Sequence, residues 1–136
     1  MLTRKGNAVW QGDLMAGKGT VQVGAGRIEL PYSFSSRFES GVGSNPEELI
    51  AAAHSGCFSM KLAFVLNAAG FTADHIETTC TVTLEAGAIT ESRLVVQARV
   101  PGMEQARFAE CAEDAKANCP VSKVLNAAIT LEAILA

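Results

Sequence analysis

Four cysteines, Cys57, Cys80, Cys111 and Cys119, are the residues of this 136-residue chain with the widest chemical range. A deprotonated cysteine is a nucleophile, a redox centre and a soft metal ligand. Cys57 lies among small neighbours, Ser55, Gly56 and Ser59, which let a substrate or a second backbone approach its sulfur. Two readings stand side by side. A cysteine inside an apolar helix is most often a buried core thiol, and burial raises its pKa. To react near neutral pH it needs a cation beside it, and Lys61, one turn on, and Arg37, ahead of the helix, are the candidates. Cys119 directly precedes Pro120 and suits the N-cap of a short helix, where free backbone N–H groups favour a thiolate. Local physics therefore ranks Cys119 as the more acidic thiol, and position along the chain does not decide which sulfur attacks. Cys80 and Cys111 fall on apolar faces and read as core. His54, one turn before Cys57, is placed for a Cys–His contact, although a hydrogen-bonded, partly buried histidine explains it equally well. Ser59 has no paired base, and no CxxC pair, HExxH motif or phosphate-binding glycine loop occurs.

The elements that must position these residues follow from periodicity and punctuation. Ala8–Gly12, Thr20–Val23 and Arg27–Leu30 alternate as strands between glycines, an N-terminal antiparallel meander. Glu39–Ser44 reads as a loop. Asn45 then suits an N-cap, Pro46 the first helical position, and Glu47 and Glu48 the positive end of the dipole. Apolar residues follow nearly all round to Gly70, a C′ stop, which predicts a long central helix of about 36 Å enclosed by protein. A β-hairpin turns at Ala86-Gly87-Ala88, with Ile76, Cys80, Val82 and Leu84 on one face of its first strand and Leu94, Val96, Ala98 and Val100 on one face of its second. Met103–Asn118 reads as a second helix with Phe108, Cys111, Ala112 and Ala115 inward. A short helix opens at Pro120, and Ile129–Leu135 alternate in a C-terminal strand. The class is α+β, a single domain over residues 1–136.

With 49% apolar and 18% charged residues and a net charge of −3, the chain reads as globular, and its scattered Lys and Arg argue against nucleic acid. No apolar run follows the basic pair Arg4-Lys5, so no secretory signal is expected. His54, Ser55, Ser59 and Lys61 interrupt the longest apolar stretch, Leu49–Ala69, which reads as a core helix rather than a membrane span. A cytoplasmic location is the expectation, and cysteines there point to catalysis or metal binding rather than structural disulfides.

Three blocks together resemble the OsmC/Ohr family of organic hydroperoxide reductases, on the OsmC side: Ser36-Arg37-Phe38-Glu39, the run NPEELIAAAHSGCFSM over residues 45–60, and Cys119-Pro120-Val121-Ser122-Lys123. The order of elements is similar to the family's from end to end. The resemblance implies an OsmC-like fold and an intertwined homodimer. It implies that Cys57 is the peroxidatic cysteine and Cys119 the resolving one, overriding the local ranking, and that Arg37 stabilises the thiolate while Glu47 holds the arginine. It further implies an organic hydroperoxide as substrate and a lipoylated protein or another small dithiol as reductant, with no metal, flavin or haem. One consequence is independent of the family. Glu47 and Cys57 are ten residues apart on one helix, about 15 Å along its axis. A guanidinium that serves both is expected to bridge two chains.

Phe34, Phe38, Leu49, Phe58 and Met60 are candidates to line an apolar approach to Cys57, with ordinary core packing as the competing explanation. Two other functions compete with the peroxidase: a metal-binding protein using Cys57, Cys119 and His54, and a redox-responsive binding module in which the same disulfide switches a surface instead of turning over.

Overall fold

The computed structural model describes all 136 residues. The chain divides into two compact units, Met1–Leu49 and Ile50–Ala136.

The first unit holds an antiparallel sheet, β1 (Asn7–Gln11), β2 (Lys18–Val23) and β3 (Ile28–Tyr32), in that order. The meander is as expected, with Val9 opposite Thr20 and Val21 opposite Leu30. A five-residue helix, α1 (Phe34–Phe38), follows in a stretch for which the sequence predicted no helix. Its origin is local: Ser33 and Ser36 form a reciprocal capping box, each hydroxyl accepting from the other's backbone N–H. No apolar side chain of this unit is fully buried. The buried groups are polar, Ser36, Ser44 and Asn45, while Val9, Leu14, Met15, Ile28 and Val42 are exposed.

The long helix α2 (Pro46–Ala68) starts as the capping residues foretold. Asn45 Oδ1 accepts from the Glu48 backbone N–H at 2.8 Å. At the other end Gly70 adopts φ +90°, and the bonds Phe71 N–H to Leu66 O and Gly70 N–H to Asn67 O close a Schellman motif.

In the second unit β4 (His75–Glu85) and β5 (Ala88–Arg99) form the hairpin, and β6 (Ala128–Leu135) joins parallel to β5, which is therefore the central strand. Between β5 and β6 come α3 (Gln105–Asn118) and α4 (Pro120–Val124). α3 starts two residues later than the apolar pattern suggested, because Met103 packs into the core ahead of the first turn. One apolar cluster gathers Phe58, Leu62 and Leu66 of α2, Leu94, Val96 and Ala98 of β5, and Phe108, Cys111, Ala112 and Ala115 of α3.

The expectation that protein encloses α2 needs correction. By length and composition α2 could cross a bilayer, yet only His54, Phe58, Leu62 and Leu66 are buried, at the four-residue spacing of a single face. Round the helix, Met60 is 78% and Phe64 65% exposed.

Candidate active site

Two clusters form, one in each unit. In the first, α1 carries Arg37 and the start of α2 carries Glu47. A buried polar knot fixes the loop between them: Ser36 Oγ donates to the Ser44 carbonyl at 2.7 Å, Asn45 Nδ2 donates to the Ser36 carbonyl at 3.0 Å, and the Ser44 N–H donates to the Pro31 carbonyl at 2.9 Å. Gly43, at φ +122°, allows this closure, since a Cβ there would meet the Pro31 carbonyl at 2.5 Å. Glu47 then grips Arg37 from two nitrogens, Nε at 2.9 Å and Nη2 at 2.9 Å from Oε1. The carboxylate is the better buried partner, 13% exposed against 38% for the arginine. Glu48 does not share this role; it accepts from the Ser44 hydroxyl. Arg37 also stacks on Phe38 and, with Trp10, Leu14, Phe34 and Phe38, lines a cavity of about 230 Å³.

The second cluster joins α2 to α4. Cys119, fully buried at the N-cap of α4, lies with its sulfur 2.8 Å from that of Cys57 across 62 residues of sequence. Both are free thiols. Burial pushes the Cys57 thiol above its ordinary value. The Cys119 side chain adds to this through its hydrogen bond and its charge, while the Val121 backbone N–H and the Lys61 ammonium draw it partly back. Lys61 itself rests over the Phe64 ring, 4.7 Å from its centre.

His54 is fully buried, one turn before Cys57. Its Nδ1 lies 2.6 Å from Ser92 Oγ on β5 and its Nε2 2.7 Å from Ser122 Oγ on α4. Burial pushes this imidazole below its ordinary value. The ring has no nitrogen left for a metal, and no three His, Cys, Asp or Glu side chains are grouped to hold one. Cys80 lies 3.0 Å from Ser92 Oγ, and Cys111 is core, as expected. Phe58, a candidate for the substrate approach, is instead fully buried in the core, because it shares the inward face of His54, one turn on. The contacts of Ser92, Ser122 and the Val121 N–H had no signal in the sequence, since their partners are distant along the chain.

The chain is similar to several known proteins. The family model OsmC-like protein matches residues 39–133. Peroxiredoxin OsmC of Escherichia coli is 49% identical over 134 residues, covering 95% of this chain and 94% of that protein. Among solved structures, the organic hydroperoxide resistance protein OsmC from Legionella pneumophila superposes with a TM-score of 0.75 at 22% identity, covering 98% of this chain and 99% of that one. The organic hydroperoxide resistance protein OhrB of Bacillus subtilis gives 0.67 at 20% identity, with 95% and 97% covered. The α+β fold read from the sequence is thus the fold of these proteins, and the chain belongs to the OsmC-like protein family.

Proposed function

We propose that this chain is a peroxide-reducing redox protein that turns organic hydroperoxides into alcohols with Cys57 as nucleophile and Cys119 as resolving thiol. The coarser half rests on the family and on the 49% identity to a peroxiredoxin. The observation that carries the finer half is the 2.8 Å contact between the two sulfurs. The Cys57 thiolate attacks one peroxide oxygen, the O–O bond breaks, and the alkoxide leaves and takes a proton as the alcohol. Cys57 is then a sulfenic acid. The Cys119 sulfur displaces its oxygen, an S–S bond forms, and water departs with the thiol proton. Two electrons have passed from the two sulfurs to the peroxide. Since a disulfide is about 2 Å long, the sulfurs close by only about 1 Å. A dithiol, lipoyl-bearing or small, reduces the bond and restores the cycle.

In this reading Arg37, aimed by Glu47, supplies the charge that holds Cys57 as a thiolate. A guanidinium is always protonated and donates from a rigid fork. Glu47 holds it ten residues, about 15 Å, along α2 from Cys57. We infer that Arg37 serves Cys57 of a second copy, the two chains forming a homodimer. Two surfaces support this: a sheet unit with no apolar core of its own, and the open face of α2 with Met60 and Phe64. The two units are read as one OsmC-like domain, since the family match runs across their boundary. Trp10, Leu14, Phe34 and Phe38 around the arginine favour an alkyl or aryl group on the peroxide.

The test is consumption of cumene hydroperoxide with dihydrolipoamide as reductant. Wild type turns over many times, Cys57→Ser not at all, and Cys119→Ser reacts once and stalls. Full turnover by Cys57→Ser would end the proposal, and one stoichiometric oxidation of the wild type would favour the redox-responsive binding module. Catalytic efficiency with hydrogen peroxide equal to or above that with cumene or tert-butyl hydroperoxide would remove the organic preference.

A further inference from the structure

The mechanism above makes no use of the most completely buried polar group near the two sulfurs, His54. Its ring spans two elements of unequal firmness. On one side is Ser92, fully buried on β5, the strand flanked by β4 and β6. On the other is Ser122 of α4, a five-residue helix with no fully buried side chain. So short a helix has little stability of its own. At its ends the Lys123 N–H donates to the Cys119 carbonyl and the Leu125 N–H to the Val121 carbonyl. Yet α4 presents two groups to Cys57, the Cys119 sulfur at its N-cap and the Val121 N–H in its first turn. Both depend on where α4 rests, and Ser122 is one turn from Cys119.

One assignment of protons gives each of these contacts one donor and one acceptor. The Cys80 thiol, kept protonated by burial, donates to Ser92 Oγ at 3.0 Å. The Ser92 hydroxyl donates to His54 Nδ1 at 2.6 Å, and Nε2–H donates to Ser122 Oγ at 2.7 Å. A neutral imidazole with one donor and one acceptor fits this sequence. No acid or base in the chain needs to move for Cys57 to react.

We propose that His54 is a positioning residue for the resolving step: anchored on Ser92 of the central strand, it holds Ser122 and so keeps Cys119 seated against Cys57. The proposal rests on the two-cysteine cycle and concerns its second half. With the tether cut, α4 samples positions in which the sulfurs are apart, and the sulfenic acid waits longer for its thiol. Loss of one buried hydrogen bond shifts such an equilibrium about ten-fold.

The experiment separates the two halves of the cycle in a single turnover. Reduced protein is mixed with one equivalent of cumene hydroperoxide. Peroxide loss, disulfide formation by quenched flow and mass spectrometry, and sulfenic acid trapped by dimedone are followed together. Ser122→Ala is expected to form the disulfide about ten-fold more slowly relative to peroxide loss, with more trapped sulfenic acid, and Ser122→Thr, which keeps the hydroxyl, to recover most of the rate. His54→Gln, the second probe should Ser122→Ala fold poorly, is expected to slow the same step. Wild-type resolution rates in both Ser122→Ala and His54→Gln would overturn the proposal. So would a slow Ser122→Ala that threonine does not rescue, since that points to packing alone. A wild type that consumes peroxide without any Cys57–Cys119 disulfide would instead defeat the two-cysteine cycle itself, and the tether's purpose with it.

Discussion

If the open face of α2 is where two copies meet, replacing Met60 and Phe64 by serine should dissociate them and silence the peroxidase together. The magnitude follows from exposure. Full burial of a Met or Phe side chain is worth about 1.5–3 kcal/mol. In the single chain Met60 keeps 78% and Phe64 65% of its surface in water, so each has about 1–2 kcal/mol still to gain. In a two-fold dimer every substitution counts twice, which brings the loss to about 4–8 kcal/mol. At 1.4 kcal/mol per decade that weakens the dimer by about 10³–10⁶-fold. Sedimentation velocity across a micromolar dilution series would register the change, with cumene hydroperoxide turnover measured on the same samples. Both side chains are solvent-facing in the single chain, so secondary structure by circular dichroism should survive. The expected outcome is a folded monomer with the residual activity of Arg37→Ala. A double variant that stays dimeric would show the interface to lie elsewhere. A monomer with wild-type turnover would be worse for the reasoning, because Arg37 would then need no second chain.

Three further outcomes follow. Glu47→Gln should lower catalytic efficiency about ten-fold, and Arg37→Ala about a hundred-fold, the scale of losing a charged hydrogen-bond donor at a reacting atom. Because Arg37 is 38% exposed, the pair contributes at most about 1 kcal/mol to stability, so thermal denaturation should barely move; a large drop in Tm with unchanged kinetics would make it a structural pair. Cys119→Ala removes two influences that push the Cys57 thiol up, its hydrogen bond and its charge. The pH midpoint for alkylation of Cys57 by iodoacetamide should therefore fall, and a rise would contradict the assignment. Finally, burial holds the His54 imidazole below the ordinary value of 6.5. As pH falls below that value the unfolded chain takes up the proton first, so His54 contributes stability above it that is lost on acidification down to the folded pKa. Urea midpoints measured between pH 7.5 and 5 should drop less steeply for His54→Gln than for wild type; equal slopes would remove the role of burial.

What was legible in the sequence was what is local. Asn45-Pro46 and Gly70 mark the ends of α2 because caps and left-handed stops are written in single residues. The hairpin is legible from alternation and the Ala86-Gly87 turn, where both residues take positive φ. By contrast α1 is too short for any period to show; its one signal was the spacing of Ser33 and Ser36. Phe58 was misassigned to the substrate approach because adjacency to Cys57 in sequence says little on a helix, where neighbours diverge by about 100°. The all-round apolar character of α2 did not show which face is buried: only His54, Phe58, Leu62 and Leu66 are. The contacts that make the site, Cys57 with Cys119 and His54 with Ser92 and Ser122, span 62, 38 and 68 residues. No spacing rule reaches that far; for the cysteines a family pattern stood in for it, while nothing paired either serine with His54.

The opposed influences on Cys57 bear on when the enzyme should be active. Within one chain burial and Cys119 push the thiol toward its unreactive, protonated form, and the Val121 N–H and Lys61 oppose them only in part. A sulfur held this way is protected from adventitious oxidation. The group best suited to tip the balance is a guanidinium, and Glu47 holds the one at Arg37 in a fixed, two-nitrogen grip. If that group reaches Cys57 only from a second copy, assembly and activation are a single event. A chain that has not found its partner would carry an inert thiol rather than a loose nucleophile. Mixing a Cys57→Ser copy with an Arg37→Ala copy then becomes diagnostic: the first is dead alone and the second about a hundred-fold impaired, yet the mixed dimer unites an intact cysteine with an intact arginine across the interface. Partial recovery of turnover on mixing is the expected result. None at any ratio, with mixed dimers shown by mass spectrometry, would mean that arginine and cysteine must come from the same chain.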